Sequence, residues 1–244
     1  LYANVRPARS FPNVPCLRPD IDLVIVRENT EGFYFAKEFE IQPGVAVSTR
    51  LITRKACERV ARFAFQLAMK RRKKLTYVHK ANILKVTDGI FKQAVLDVAE
   101  SFPEVEVEEL RVDAAAMQLV RRPQTFDVIV TTNLFGDILS DEAAGLVGGL
   151  GLAAGANIGE SYGMFEPVHG SAPKYAGLNK VNPIATILSA KMMLEFLGEN
   201  EAARKVEEAV ISVLREGKVR TYDLGGSNTT SEVAEAIAAK VLEE

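Results

Sequence analysis

Phe126-Asp127-Val128-Ile129-Val130-Thr131-Thr132-Asn133-Leu134-Phe135-Gly136-Asp137-Ile138-Leu139-Ser140-Asp141 is the stretch that decides the architecture. Residues 126–132, apolar or β-branched apart from Asp127, read as a buried strand. After a turn, a helix is predicted from about Ile138 to Leu146. The same alternation extends in both directions. Upstream, Ile21 to Val26 is a second short strand and 45–52 a weakly alternating third. From Arg54 to about Arg72, the residues Ala56, Val60, Phe63, Ala64, Leu67 and Ala68 recur at helical spacing. Lys and Arg gather at the end of that helix, where cations suit its dipole.

Lys74 to His79 is a strand, and Thr87 with Asp88 can cap a helix running through Phe91, Val95, Leu96 and Val98. Val105 to Val112 is another strand, and a short Ala-rich helix ends before Pro123. Helices at 184–197, 201–216 and 230–242 close the chain. Pro7, Pro12, Pro15 and Pro19 make residues 7–19 an extended loop. Strands alternating with helices predict an α/β protein with a largely parallel sheet and one antiparallel arm. The Gly-rich stretch at 145–159 is where the chain is expected to pass from one lobe to another.

The chain has 244 residues, enough for one large domain or two ordinary ones. With 48% hydrophobic and 25% charged residues it has ample core, which excludes a disordered chain. A formal charge of -2 excludes an overall basic field for nucleic acid, although a local Arg cluster could still hold a small acid. Cys16 and Cys57 are too few for a disulfide framework, so a reducing cytoplasm is expected. No apolar run approaches the roughly 20 residues that cross a bilayer, and no membrane partner is expected.

The candidate chemistry sits at strand ends. Asp137 and Asp141 are four apart, on one face of the predicted helix. Two such carboxylates repel unless a cation lies between them, and oxygen ligands without His or Cys favour Mg²⁺ or Mn²⁺. On spacing alone they can equally complement the positive end of the helix, which is the commoner use. Arg27 directly follows a buried strand, and with Arg6 it could grip a di- or tricarboxylic acid; a lone Arg is usually just solvated. Lys80 ends another strand and could serve as a base, or be plain surface; His79 reads as a packed strand residue. Val168 to Pro173 is a small-residue loop that lets a ligand approach the backbone, or an ordinary tight turn. Gly149-Leu150-Gly151-Leu152-Ala153-Ala154 fits the spacing of a dinucleotide fingerprint but follows a helix rather than a strand, so a Rossmann reading fails.

The segments LYANVRP (1–7), VRENTEGFY (26–34), HKAN (79–82), VDAAA (112–116), TTNLFGDILSDEAAGLVGGLG (131–151), FEPVHGSAP (165–173) and KVNP (180–183) occur together in this order. In this they resemble the isocitrate/3-isopropylmalate dehydrogenase family, the metal-dependent β-decarboxylating dehydrogenases. The resemblance implies a two-domain α/β fold with mixed sheets flanked by helices. Residues 1–147 would form the smaller dimerisation domain and 148–244 the C-terminal half of the larger one. It also implies that family members carry a further N-terminal segment before LYANVRP, so the chain is expected to be a fragment, weakly active or inactive by itself.

The same resemblance assigns roles. Arg6 and Arg27 would bind substrate carboxylates, with Asn82 near substrate and nicotinamide. Tyr34 and Lys80 would be the acid/base pair. Asp113, Asp137 and Asp141 would hold Mg²⁺ or Mn²⁺, with Lys80 and Asp113 reaching into a neighbour's site in a homodimer that could pair further into a tetramer. His169, Gly170, Ser171, Ala172 and Asn182 would line the adenosine end of the cofactor. Lys174, Tyr175 and Tyr222 match an NADP-type pattern, while Gly226 replaces an Arg expected there; NADP is favoured over NAD. The implied reaction is oxidative decarboxylation of a 2-hydroxy acid, 3-isopropylmalate first, isocitrate or homoisocitrate close behind. The alternative is a non-catalytic subunit or binding fragment of the same family.

Overall fold

The computed structural model describes residues 1–243. Its strands are β1 (Ala3–Arg9), β2 (Asp22–Glu28), β3 (Gly32–Gln42), β4 (Val45–Leu51), β5 (Lys74–His79), β6 (Glu106–Arg111), β7 (Val128–Thr131), β8 (Ala154–Ile158) and β9 (Gly163–Pro167). Its helices are α1 (Arg54–Met69), α2 (Thr87–Ala99), α3 (Val112–Arg121), α4 (Asn133–Val147), α5 (Ile184–Phe196), α6 (Asn200–Glu216) and α7 (Thr230–Glu243). The fold is α/β, with mixed parallel and antiparallel pairing flanked by helices.

Two compact units emerge, and they interleave along the chain. The first takes Leu1–Val5, Leu23–Ser140 and Asn157–Glu160; the second takes Arg6–Asp22, Asp141–Ala156 and Ser161–Glu244. In the first unit the strands lie in the order β6-β5-β7-β2-β1. The β6–β5, β5–β7 and β7–β2 ladders are all parallel, as helical crossovers require. Its interior is filled by Leu23, Ile25, Phe65, Leu75, Phe91, Leu119 and Ile129. The second unit buries Phe11, Val14, Ile184, Leu188, Val210, Leu214, Leu224 and Ile237 around β8.

Most predicted elements appear within a residue or two, and the exceptions have physical causes. α4 begins at Asn133 rather than near Ile138, because Leu134-Phe135-Gly136 continues straight into the helix instead of turning. Residues 7–9, expected as loop, close β1. β3 has little periodic signal because ten of its eleven residues are exposed. It pairs with β4 as the expected antiparallel arm. α1 stops at Met69, and the cations beyond it do not serve its dipole. Arg71 Nε and the Arg72 amide instead donate to the carboxylate of buried Asp127, at 2.7 and 2.8 Å. Thr87 and Asp88 do not cap α2 either: Val86 is the N-cap, with no side-chain capping bond.

Candidate active site

Parallel pairing of β2 with β7 puts Arg27 opposite Thr131, so Arg27 and the start of α4 leave the same sheet end. That is where ligands bind in open α/β sheets. The Arg27 side chain is only 6% exposed. Its Nε donates to Asn133 Oδ1 at 2.8 Å and Nη1 to Asp137 Oδ1. Its guanidinium carbon lies 4.9 Å from the centre of the Tyr34 ring. Tyr34 Oη donates to the other oxygen, Asp137 Oδ2, at 2.7 Å. One carboxylate thus carries a guanidinium on one oxygen and a phenol on the other. The bond to Asp137, then burial, push the Tyr34 phenol above its ordinary pKa, so it stays protonated and can donate. Gly136 makes this approach possible: a Cβ there would fall 2.6 Å from Arg27 Cβ.

The turn after β5 holds Lys80 and the exposed Asn82. β5 and β6 are parallel neighbours, so Lys80 faces the first turn of α3. There Lys80 Nζ meets Asp113 Oδ1 at 2.6 Å. Asp113 is held below the usual carboxylate pKa, chiefly by that bond. His79 is buried as expected. Its Nδ1 accepts the Ala81 amide at 3.0 Å and its Nε2 faces Glu109 at 3.1 Å.

In the second unit, Arg6 Nη1 lies 3.5 Å from Asp141 Oδ1. Asp137 and Asp141 stand one turn apart on α4, an oxygen-only pair suited to a hard divalent cation. Among the described residues, no three His, Cys, Asp or Glu side chains converge as metal ligands. Within one chain Asp113 meets Lys80.

A cleft of about 280 Å³ in the second unit is lined by His169, Gly170, Ala172, Tyr175, Asn182 and Tyr222, with Gly151 and Asp223. His169 Nδ1 lies 2.9 Å from the Gly170 carbonyl, while its Nε2 is buried without a partner. A carbonyl only accepts, so Nδ1 carries a proton, and Nε2 is left to meet a ligand. This unpaired atom fits a bound nucleotide. Ala172 takes a left-handed backbone (φ +44°), local strain that aims the turn Pro173–Tyr175 at the cleft. Asn182 donates to Asp223 at 3.0 Å and accepts the Ile184 amide at the start of α5.

Sequence reasoning missed what Gly151 does in packing. A Cβ there would lie 2.5 Å from Asp223 and 3.0 Å from Asn182, so only Gly lets those side chains meet. It also missed Lys180, whose ammonium sits 4.6 Å from the Tyr222 ring and 5.9 Å from the Tyr175 ring. Lys174 lies 4.9 Å from the Tyr175 ring, and the two rings are 5.9 Å apart. Ser171 is exposed beside this group. Gly226 has a structural reason: a Cβ there would strike the Arg220 carbonyl, so no Arg can stand at that position.

A strand-end cluster of guanidinium, carboxylate and phenol, and a cleft in the second unit, define an α/β protein with two candidate small-molecule sites. The chain belongs to the isocitrate/isopropylmalate dehydrogenase family, whose profile matches residues 1–237. It is 57% identical over 248 residues to the 3-isopropylmalate/3-methylmalate dehydrogenase of Methanocaldococcus jannaschii, covering 100% of this chain and 74% of that protein. It is 58% identical over 238 residues to an isocitrate/homoisocitrate dehydrogenase of Thermus thermophilus, covering 97% of this chain and 70% of that one. Among solved structures it resembles isocitrate dehydrogenase from Methylococcus capsulatus, with TM-score 0.94 and 51% identity over 98% of this chain and 73% of that one.

Proposed function

We propose that this chain carries the catalytic machinery of an oxidative decarboxylase of 2-hydroxy acids, with 3-isopropylmalate the first substrate and isocitrate or homoisocitrate close behind. The observation that carries this reading is the shared carboxylate of Asp137, with Arg27 on one oxygen and Tyr34 on the other. Arg27 and Arg6 would each grip a carboxylate of the acid through paired N–H bonds. Lys80 takes the proton from the substrate hydroxyl as it is oxidised. Tyr34 delivers a proton to the carbon left by the departing carboxylate. Asn82 orients the acid.

Asp137 and Asp141, with Asp113 from a neighbouring protomer, would hold Mg²⁺ or Mn²⁺, which when bound supplies charge stabilisation at the substrate's oxygens. The cleft around His169 would hold the dinucleotide, whose nicotinamide supplies the oxidant. Ammonium groups of Lys174 and Lys180 beside the tyrosine pair favour the extra phosphate of NADP. Because Lys80 and Asp113 would serve the neighbour, the working unit is a homodimer with two shared sites.

Steady-state assays with each acid, both dinucleotides and Mg²⁺ test this reading. Expected is metal-dependent NADPH formation with one of the three acids, abolished by Lys80→Met. Ligand binding without turnover by the native protein would favour a regulatory subunit and overturn the proposal.

A further inference from the structure

Asp88 lies in the first turn of α2 with no exposed surface, yet it does not cap that helix. Its Oδ2 accepts the backbone N–H of Lys80 at 2.6 Å, and its Oδ1 takes Nη1 of Arg50. Arg50, near the end of β4, has a side chain only 7% exposed. Its Nη1 also donates to Thr87 Oγ1 at 3.1 Å, and its Nη2 to Thr132 Oγ1 at 3.0 Å. Its guanidinium carbon is 5.4 Å from the Phe135 ring centre and 5.9 Å from that of Phe33. One buried cation therefore touches both strands of the arm, α2, the end of β7 and the start of α4. Its counter-ion holds the amide of Lys80.

Stability alone does not account for such a pair. Two charges taken out of water regain little more than their desolvation cost, and an apolar pair of similar size does as well. What the pair supplies is direction. A planar guanidinium fixes the carboxylate in one orientation, and that orientation fixes the Lys80 amide. The following amide, Ala81, is fixed separately by His79. We infer that Arg50 and Asp88 are positioning residues for Lys80, tying the backbone from which it reaches to the β3–β4 arm. This rests on the reading of Lys80 as the base.

The test uses the native enzyme carrying Asp88→Asn, Asp88→Glu or, as reference, Lys80→Met. Asp88→Asn is expected to lower kcat about ten- to a hundredfold, with KM for acid and dinucleotide changed less than about threefold, as for a displaced catalytic group. It should also move the kcat–pH midpoint, and Asp88→Glu should restore part of the rate. Competitive acetylation read by mass spectrometry reports Lys80 directly, relative to exposed Lys37. Its rate is expected to change in Asp88→Asn. Wild-type kcat, pH profile and acetylation rate in a folded Asp88→Asn protein overturn the inference.

Should Asp88→Asn fail to melt cooperatively, the apolar pair Arg50→Met with Asp88→Leu keeps the space filled. Depressed kcat in that folded protein supports the inference, and undiminished kcat overturns it. If Lys80→Met retains turnover, the reading of Lys80 falls. Acetylation that still responds to Asp88 leaves the positioning itself standing.

Discussion

Lys80 Nζ and Asp113 Oδ1 lie 2.6 Å apart, at the carboxyl ends of the neighbouring parallel strands β5 and β6. The two side chains proposed to act in a neighbour's site are therefore held together and travel as one unit. Mixing Lys80→Met with Tyr34→Phe protein tests the sharing. Heterodimers then contain one intact site made of Tyr34 from one protomer and Lys80 from the other, and activity should recover to about a quarter of wild type. No recovery after subunit exchange would place both residues in the same chain's site.

Tyr34→Phe removes the phenol but leaves Arg27 on Asp137. The expected effect is a fall in kcat of about 10²–10³, the range for a lost general acid, with substrate KM little changed. Stopped-flow and steady-state assays together decide it, and an undiminished kcat would remove Tyr34 from the mechanism.

Gly136→Ala forces a methyl group to within 2.6 Å of Arg27 Cβ. Overpacking of this kind costs about 1–3 kcal/mol. Urea denaturation should show that loss, and KM for the acid should rise because Arg27 is displaced. Unchanged stability together with unchanged KM would contradict the packing described for this turn.

At the cleft, Lys180→Ser is expected to reduce kcat/KM for NADP about tenfold while leaving NAD within a factor of about two, the loss of one charge-assisted phosphate contact. Equal losses with both dinucleotides would show that Lys180 supports the tyrosines without reading the phosphate.

His79 supplies a pH dependence. Burial, outweighing the nearby Glu109 and Asp88, lowers its pKa below the ordinary 6.5. Below about pH 6.5 the unfolded chain therefore binds a proton that the folded chain does not, so stability falls as pH drops from that value toward the folded pKa. His79→Gln should flatten that part of the stability–pH curve in urea titrations at stepped pH. A curve of unchanged slope would mean that His79 does not titrate differently on folding.

Much of the fold is legible residue by residue. α1 shows itself through Ala56, Val60, Ala64 and Ala68, all of them buried. The cores of β2 and β7 are continuous apolar runs because both faces of a parallel sheet are covered, and β5 is buried from Leu75 to His79 although Thr76 and His79 are polar. β8, Ala154–Ile158, escapes notice because its small residues lack β-branched signal, and β3 because it has no buried face to impose alternation. The family motifs brought Arg27, Tyr34, Lys80 and Asp137 into view, and the structure adds Lys180, Gly151, Arg50 and Asp88.

Local order came from the chain alone: helical and strand periods depend on neighbours two to four residues away, and the placement of Arg27, Lys80 and Asn133 at strand ends follows from them. Which charges meet was decided only in three dimensions. Arg27 and Asp137 are 110 residues apart, and Tyr34 and Asp137 are 103 apart. No period spans such distances. Arg71 turned from a helix end to Asp127, and Asp88 from a cap to Arg50, because burial penalises an unpaired charge far more than a helix terminus rewards one.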